Sequence, residues 1–306
     1  MTPHAILCPA LTMSTDPAPR PALVLDSPSL LYRAFFALPA TIRDPQGKPV
    51  NAVRGYLDMV SHLLRTRLPI GVVHTFDNDW RPAYRVAAYA GYKAARRPDP
   101  PDLPPQFELL LEVLAAAGLP VADAEGYEAD DVIGTLATRA TAATPIEVVT
   151  GDRDLLQLVR DPEVAVLFTV KGVKDLRRFD EAEVERGYGV PPRLYADLAT
   201  LRGDSSDGLP GIAGIGPKTA ATLLQTHGSL RALRDAGDVT PRIHAALQAQ
   251  SDYLDAMETV VPVATSVDIR MSQQREPDHD ALQRFAEERA LRGSIERLQA
   301  AMAMIR

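Results

Sequence analysis

Three short apolar runs in this chain each end in an aspartate. Leu23-Val24-Leu25 leads into Asp26, Ile70 to Phe76 into Asp77, and Ile146 to Thr150 through Gly151 into Asp152, with Asp154 two residues on. Runs of this length read as strands, with further candidates at Leu119–Val121 and Val164–Phe168. Helical periods lie between them over Val53–Arg67, Phe107–Ala117 and Ala129–Ala140. Strands alternating with helices predict an α/β fold over 22–191, with a mostly parallel central sheet and flanking helices. Ligands of such sheets bind outside the carboxyl ends of the strands. The topology therefore draws Asp26, Asp77, Asp152 and Asp154 towards one crevice.

After Pro191 the strand signal fades, and helical segments follow at Arg193–Leu201, Lys218–His227, Ile243–Val260, Asp280–Ala290 and Ser294–Met304. Residues 192–306 are accordingly expected to form a helical module that includes the C-terminal helices. Residues 1–21 hold five prolines and no period, which predicts a disordered tail, with Met13 as an alternative start. A single cysteine, Cys8, excludes an internal disulfide framework and a cysteine-based zinc site. No apolar stretch reaches the roughly 20 residues of a membrane span, and no signal pattern opens the chain. The expectation is a cytoplasmic protein without a membrane partner.

Further carboxylates join those at the strand ends. Glu128-Ala129-Asp130-Asp131 opens one predicted helix, and Asp204-Ser205-Ser206-Asp207 precedes another. Each motif has an ordinary structural reading: an Asp after a strand serves turns and N-caps, and an acidic first turn suits the helix dipole. Together, so many carboxylates in one crevice repel unless cations neutralise them or several stay protonated. All-oxygen ligation favours Mg²⁺ or Mn²⁺. Two-metal hydrolysis of a phosphodiester is the chemistry that calls for this many acidic ligands. A net charge of −7 argues by itself against a nucleic-acid partner. Neutralising these nine side chains turns that balance slightly positive and removes the objection.

Two other segments carry chemistry. Trp80 to Pro98 contains Arg81, Arg85, Lys93, Arg96 and Arg97, no acidic residue, and Trp80, Tyr84, Tyr89 and Tyr92. Cations of this kind bind backbone phosphates, and aromatic faces stack on unpaired bases. The alternative is a solvated loop whose aromatics pack on the core. Downstream, Gly211-Ile212-Ala213-Gly214-Ile215-Gly216-Pro217-Lys218-Thr219 feeds a helix. Pro217 between Gly216 and Lys218 excludes a Walker A loop, and no strand precedes it as a dinucleotide fingerprint requires. Glycine turns at a helix start present N–H groups to phosphate, so a helix-hairpin-helix contact to a duplex backbone fits best.

The chain resembles the bacterial 5′ nucleases, the flap endonuclease-like 5′-3′ exonucleases whose unit also forms the N-terminal domain of many DNA polymerase I enzymes. The matching segments are LVLDSPSLLYRAF (23–35), FD (76–77), YRVAAYAGYKAAR (84–96), GYEADDVIGTLA (126–137), VTGDRDLLQLV (149–159) and GDSSDGLPGIAGIGPKTAATLL (203–224). The resemblance implies a PIN-like nuclease core with a helical arch over about 80–117 and a helix-hairpin-helix over 203–224. It implies Asp26, Asp77, Glu128 and Asp130 around a first divalent ion, and Asp152, Asp154, Asp204 and Asp207 around a second, with Asp131 supporting through water. Lys93 and Arg96 correspond to the pair at the scissile phosphate and Arg85 to another basic position; Arg81, Tyr92 and Arg97 are expected as DNA contacts from the basic, aromatic character of the segment. Gly214, Gly216, Lys218 and Thr219 correspond to the duplex-binding hairpin with its K⁺ ion. The expected partner is DNA with a 5′ flap, nick or free 5′ end, met by a monomer at the nucleoid. Two departures stand out: Ser27-Pro28 in place of Gly-Ser after the first Asp, and Gly208 in place of Asn after the last. A non-catalytic DNA-junction binder and an RNA-cleaving nuclease of similar core are the alternatives.

Overall fold

A computed structural model describes residues 19–305, so most of the tail expected over 1–21, Cys8 included, lies outside the described residues. The strands are β1 (Ala22–Asp26), β2 (Gly71–Thr75), β3 (Val121–Asp123), β4 (Ile146–Thr150), β5 (Val164–Thr169), β6 (Leu176–Phe179) and β7 (Arg270–Met271). They form one seven-stranded sheet in the order β6-β5-β4-β1-β2-β3-β7. The five inner strands are parallel, and β6 and β7 close the edges antiparallel. Side chains alternate between the faces: Leu23 and Leu25 enter one apolar cluster, Val24 the other. With both faces covered, the inner strands read as continuous apolar runs, which is why the sequence reveals them.

The helices are α1 (Ser27–Ala37), α2 (Asn51–Arg67), α3 (Ala83–Ala88), α4 (Pro104–Ala116), α5 (Ala129–Ala137), α6 (Glu181–Tyr188), α7 (Tyr195–Arg202), α8 (Pro217–His227), α9 (Leu230–Asp235), α10 (Pro241–Ala249), α11 (Ser251–Val260), α12 (His279–Glu288) and α13 (Arg292–Ala303). One face of the sheet is covered by α1, α2, α4, α12 and α13, the other by α5 and the short 3₁₀ turn Asp154–Leu158. Helices α7 to α11 surround a third core containing Leu198, Leu224, Leu233 and Leu254. No helix among the described residues is long and apolar enough to cross a membrane.

Three differences from the sequence expectations matter. The helical arch expected over about 80–117 is not one helical element: α3 gives way to turns over 90–95 and irregular chain to Leu103, while α4 buries Leu110, Val113 and Leu114 in the body. The helix expected over Ile243–Val260 is divided at Gln250 into α10 and α11. The C-terminal helices leave the helical module. After β7 pairs with β3, Leu282 of α12, Leu291 between the helices, and Ile295 and Leu298 of α13 join the core that holds Tyr56 and Leu57 of α2. Arg297 on α13 also donates to Asp58 on α2 at 2.7 and 3.0 Å. A helical period reports an apolar face, not the partner that covers it.

Candidate active site

The sheet order reverses beside β1, which pairs with β2 on one side and β4 on the other. Such a switch point opens a crevice at the carboxyl ends of the strands. A cavity of about 580 Å³ lies there, lined by Asp26, Asp77, Glu128, Asp130 and Asp152, by Lys93, Arg96 and Arg97, and by Tyr32 and Phe36.

Asp26 ends β1 and caps α1: one oxygen accepts from the Ser29 N–H at 3.2 Å, the other from Thr150 Oγ1 at 2.5 Å. Burial pushes its carboxyl up to about 7, with Asp152 and Asp77 adding repulsion against the relief from Thr150 and Ser29. Asp77 follows β2 and accepts from the Ala129 N–H at 2.7 Å, so the second strand end is tied to the start of α5. Its surface opens on the cavity, yet the protein packed around it raises its carboxyl. Asp130 is raised well above the ordinary carboxylate value by burial and then by Asp152, Asp26 and Glu128. Asp154 is raised by burial, then by Asp152, Asp207 and Asp204, and its buried Oδ1 has no hydrogen-bond partner among the described residues. Burial also raises Asp207, with Asp152 among the repelling neighbours. Asp204 accepts from the Ser206 N–H at 2.8 Å in the same loop. Asp152 thus stands between two acidic groups, one in the cavity and one at the entry of the helical module.

Among the described residues, no three or more acidic, histidine or cysteine side chains are drawn tightly enough together to grip one ion. Like charges repel and spread. The donor set is nevertheless all oxygen, several of its members are held under repulsion, and one buried oxygen is unpartnered. Those features fit hard divalent cations.

Two residues expected at the reacting centre, Arg85 and Asp131, and one expected to contact DNA, Tyr92, sit elsewhere. Arg85 is 2% exposed and Asp131 is fully buried. They form a bidentate pair at 2.7 and 2.9 Å, and Arg85 also donates to the Val260 carbonyl at 3.1 Å. Burial opposes the guanidinium charge, but Asp131 and Glu128 outweigh it and raise its pKa. Asp131 further accepts from Tyr84 and from the Ala264 N–H, at 3.1 and 2.9 Å. This buried knot ties α3 and α5 to the chain leaving the helical module; it does not line the cavity. Tyr92 offers no face to a base: it is 4% exposed and donates to Glu128 at 2.7 Å. Glu128 itself is engaged by Arg85, Lys93 and Tyr92. Arg81 donates to the carbonyls of Tyr92 and Ala90 at 2.7 and 2.9 Å, which shapes the turn carrying Lys93.

Lys93 is buried at the cavity wall, whereas Arg96 and Arg97 are exposed along it. Lys93 donates its N–H to the Asp207 carbonyl at 2.9 Å, and Arg96 lies 3.5 Å from the Asp207 carboxylate. Gly208 is required here. Its φ is +74°, and a Cβ would stand 2.5 Å from the Gly91 carbonyl oxygen, so the loops meet only at a glycine. The other departure, Ser27-Pro28, is also accommodated. Pro28 lies in the first turn of α1. Ser27 Oγ contacts Tyr56 Oη at 2.7 Å, and Tyr56 Oη contacts His74 Nδ1 at 2.6 Å. Burial lowers His74 to about 3, so it is neutral at ordinary pH.

Sequence reasoning missed Tyr32, Phe36 and Thr150. The four-residue spacing of Tyr32 and Phe36 places them on one helix face, a signal available once α1 is recognised. Gly214, Gly216, Lys218 and Thr219 are exposed at the start of α8, away from the cavity lining.

Residues 21–189 match the family described as 5′-3′ exonuclease, N-terminal resolvase-like domain, and residues 190–281 match 5′-3′ exonuclease, C-terminal SAM fold. A 5′-3′ exonuclease of Streptomyces coelicolor is 44% identical over 297 residues, covering 90% of this chain and 98% of the relative. A DNA polymerase I of Mycobacterium bovis is 42% identical over 275 residues, covering 87% of this chain but 30% of the polymerase. Among solved structures, the T5 D15 protein co-crystallised with metal ions has a TM-score of 0.62 at 14% identity, covering 94% of this chain and 100% of that one. The catalytic core of Rad2 in complex with a DNA substrate has a TM-score of 0.58 at 19% identity, covering 92% of each chain.

Proposed function

The chain belongs to the 5′-3′ exonuclease family and is a 5′-3′ exonuclease; from that premise we propose that it cuts DNA phosphodiesters at 5′ flaps, nicks and free 5′ ends, at the cavity beyond β1, β2 and β4. The observation that carries this is the convergence of Asp26, Asp77 and Asp152 from three strand ends, and of Asp130 from the first turn of α5, beside Lys93 and Arg96. Asp26, Asp77 and Asp130 would hold one Mg²⁺ or Mn²⁺, and Asp154, Asp204 and Asp207 a second, with Asp152 between them. The T5 D15 protein, of like fold, was co-crystallised with metal ions. When bound, such ions activate water and stabilise the leaving oxygen of a phosphodiester.

The chain's own residues do the rest. Lys93 and Arg96 offset the charge on the phosphate, and Arg97 extends the cationic wall. Glu128, fastened by Arg85 and Tyr92, holds Lys93 at the cavity rather than serving mainly as an ion ligand. Tyr32 and Phe36 give an aromatic side against which the adjoining nucleotide lies. The hairpin Gly211–Gly216 and the start of α8, with Lys218 and Thr219, grip duplex backbone and accommodate a K⁺ ion. The Rad2 core, of like fold, was solved in complex with a DNA substrate. A monomer acting at the nucleoid in replication and repair completes the reading.

A 5′-labelled DNA flap, incubated with metal omitted and then restored, tests it. Metal-dependent release of the label is expected. Retardation of uncut DNA in both conditions identifies a junction binder, and preferential cutting of a matched RNA flap identifies an RNA nuclease.

A further inference from the structure

The exposed hairpin that precedes α8 is held in shape from outside. The carboxamide of Gln250 bridges it: Oε1 accepts from the Ala213 N–H and Nε2 donates to the Gly211 carbonyl, both at 2.8 Å. One acceptor and one donor are needed, and the carboxamide in this orientation supplies both. Gln250 occupies the break between α10 and α11, outside either helix, which frees its side chain to face the hairpin. One turn on, the Tyr253 hydroxyl accepts from the Gly211 N–H at 3.3 Å and donates to the Thr200 carbonyl of α7 at 3.1 Å.

The same tyrosine reaches towards the cavity. Its ring meets Tyr89 edge to face, with centroids 5.9 Å apart. Tyr89 ends α3, four residues before Lys93, and Lys93 is tied to the Asp207 carbonyl. A continuous run of contacts therefore joins the hairpin to the segment carrying the cavity lysine.

We propose that Gln250 and Tyr253 are positioning residues for duplex engagement: together they brace the glycine hairpin in the shape that meets phosphate and fix it relative to the Lys93 segment. This rests on the reading of the hairpin as the duplex grip. Neither residue touches DNA in this scheme, and both act through Gly211 and Ala213.

The test uses the full chain and a fluorescein-labelled duplex with a 5′ flap, titrated in EDTA so that binding is read without cleavage. Gln250→Ala weakens binding about 10-fold, since one or two oriented hydrogen bonds are lost. Its plot of log affinity against log salt becomes shallower by about one phosphate contact. A merely destabilised fold lowers the melting temperature and leaves that slope unchanged. Gln250→Glu keeps the oxygen facing Ala213 but sets its second carboxylate oxygen against the Gly211 carbonyl and adds a negative charge beside the grip, so it weakens binding at least as much as Gln250→Ala. Tyr253→Phe keeps the ring on Tyr89 and loses the hydroxyl, with about a 3-fold effect; it and Gln250→Glu decide the matter should Gln250→Ala not fold.

Gly216→Ala is the control for the underlying reading. Gly216 has extended backbone geometry, and no described residue lies within 4 Å of an added Cβ, so the fold accepts it while the methyl obstructs a phosphate. Weakened binding in Gly216→Ala with wild-type affinity and slope in Gln250→Ala and Tyr253→Phe overturns the brace alone. Wild-type binding in Gly216→Ala overturns the hairpin reading and the brace with it.

Discussion

The acidic cavity and the glycine hairpin solve opposite electrostatic problems. The cavity and its border gather carboxylates where burial already disfavours their charge, and Asp26 and Asp130 in the lining and Asp154 beside it are all held above the ordinary carboxylate range. It is poised to receive cations, at a cost to the metal-free fold. The hairpin carries exposed glycines and one lysine at the start of a helix, with little charge to strain anything. The difference predicts that changes in the cavity alter rate and stability, while changes at the hairpin alter grip.

Arg85 tests where the cavity ends and its support begins. Arg85→Ala leaves Asp131 buried without its partner, and a loss of about 3–5 kcal/mol is expected in urea unfolding. Lysine at 85 does not restore it, because the bidentate geometry is lost. A normally folded Arg85→Ala protein with impaired turnover would return Arg85 to the reacting centre. Lys93→Ala is expected to lower turnover by about 10²–10³ with near-normal DNA affinity. An affinity loss at unchanged turnover would make Lys93 part of the grip instead.

Asp26 supplies the pH dependence. Its folded-state pKa, about 7, lies above the ordinary carboxylate value of 3.8, so the folded protein binds the extra proton between those values. In EDTA, its contribution to stability is fully present below the lower value, declines as pH rises through the window, and is lost above about 7. Asp26→Asn should flatten that decline in melts across the window and abolish cleavage. The smallest effect is expected at the hairpin, where Lys218→Ala lowers duplex affinity a few-fold and reduces the salt slope by about 0.9.

The strand-end aspartates were legible because a parallel sheet buried on both faces writes itself as apolar runs, and its topology dictates where those runs end. The direction of a side chain on a helix was harder to read. Asp130 and Asp131 are adjacent in sequence, yet one lines the cavity and the other is buried against Arg85. A signal existed: Asp131 stands three residues after Glu128, the spacing of a capping box, and the two make that reciprocal pairing here. Arg85 and Tyr92 were misplaced for a similar reason. A basic, aromatic segment reads as a nucleic-acid surface, but composition cannot show that Glu128 and Asp131 draw its members inward. The return of α12 and α13 to the body was hidden because their apolar faces suit either core.

That return also decides how the molecule can be tethered. Pro21, at the entrance to β1, accepts from the Ile70 N–H, and Ile70 shares a small cleft with Met302 and Ile305. The first and last described stretches thus emerge side by side at the amino edge of the sheet, opposite the strand ends that carry the acidic groups. A surface linker joined to either of these stretches would therefore pull on the edge of the sheet that faces away from the acidic strand ends.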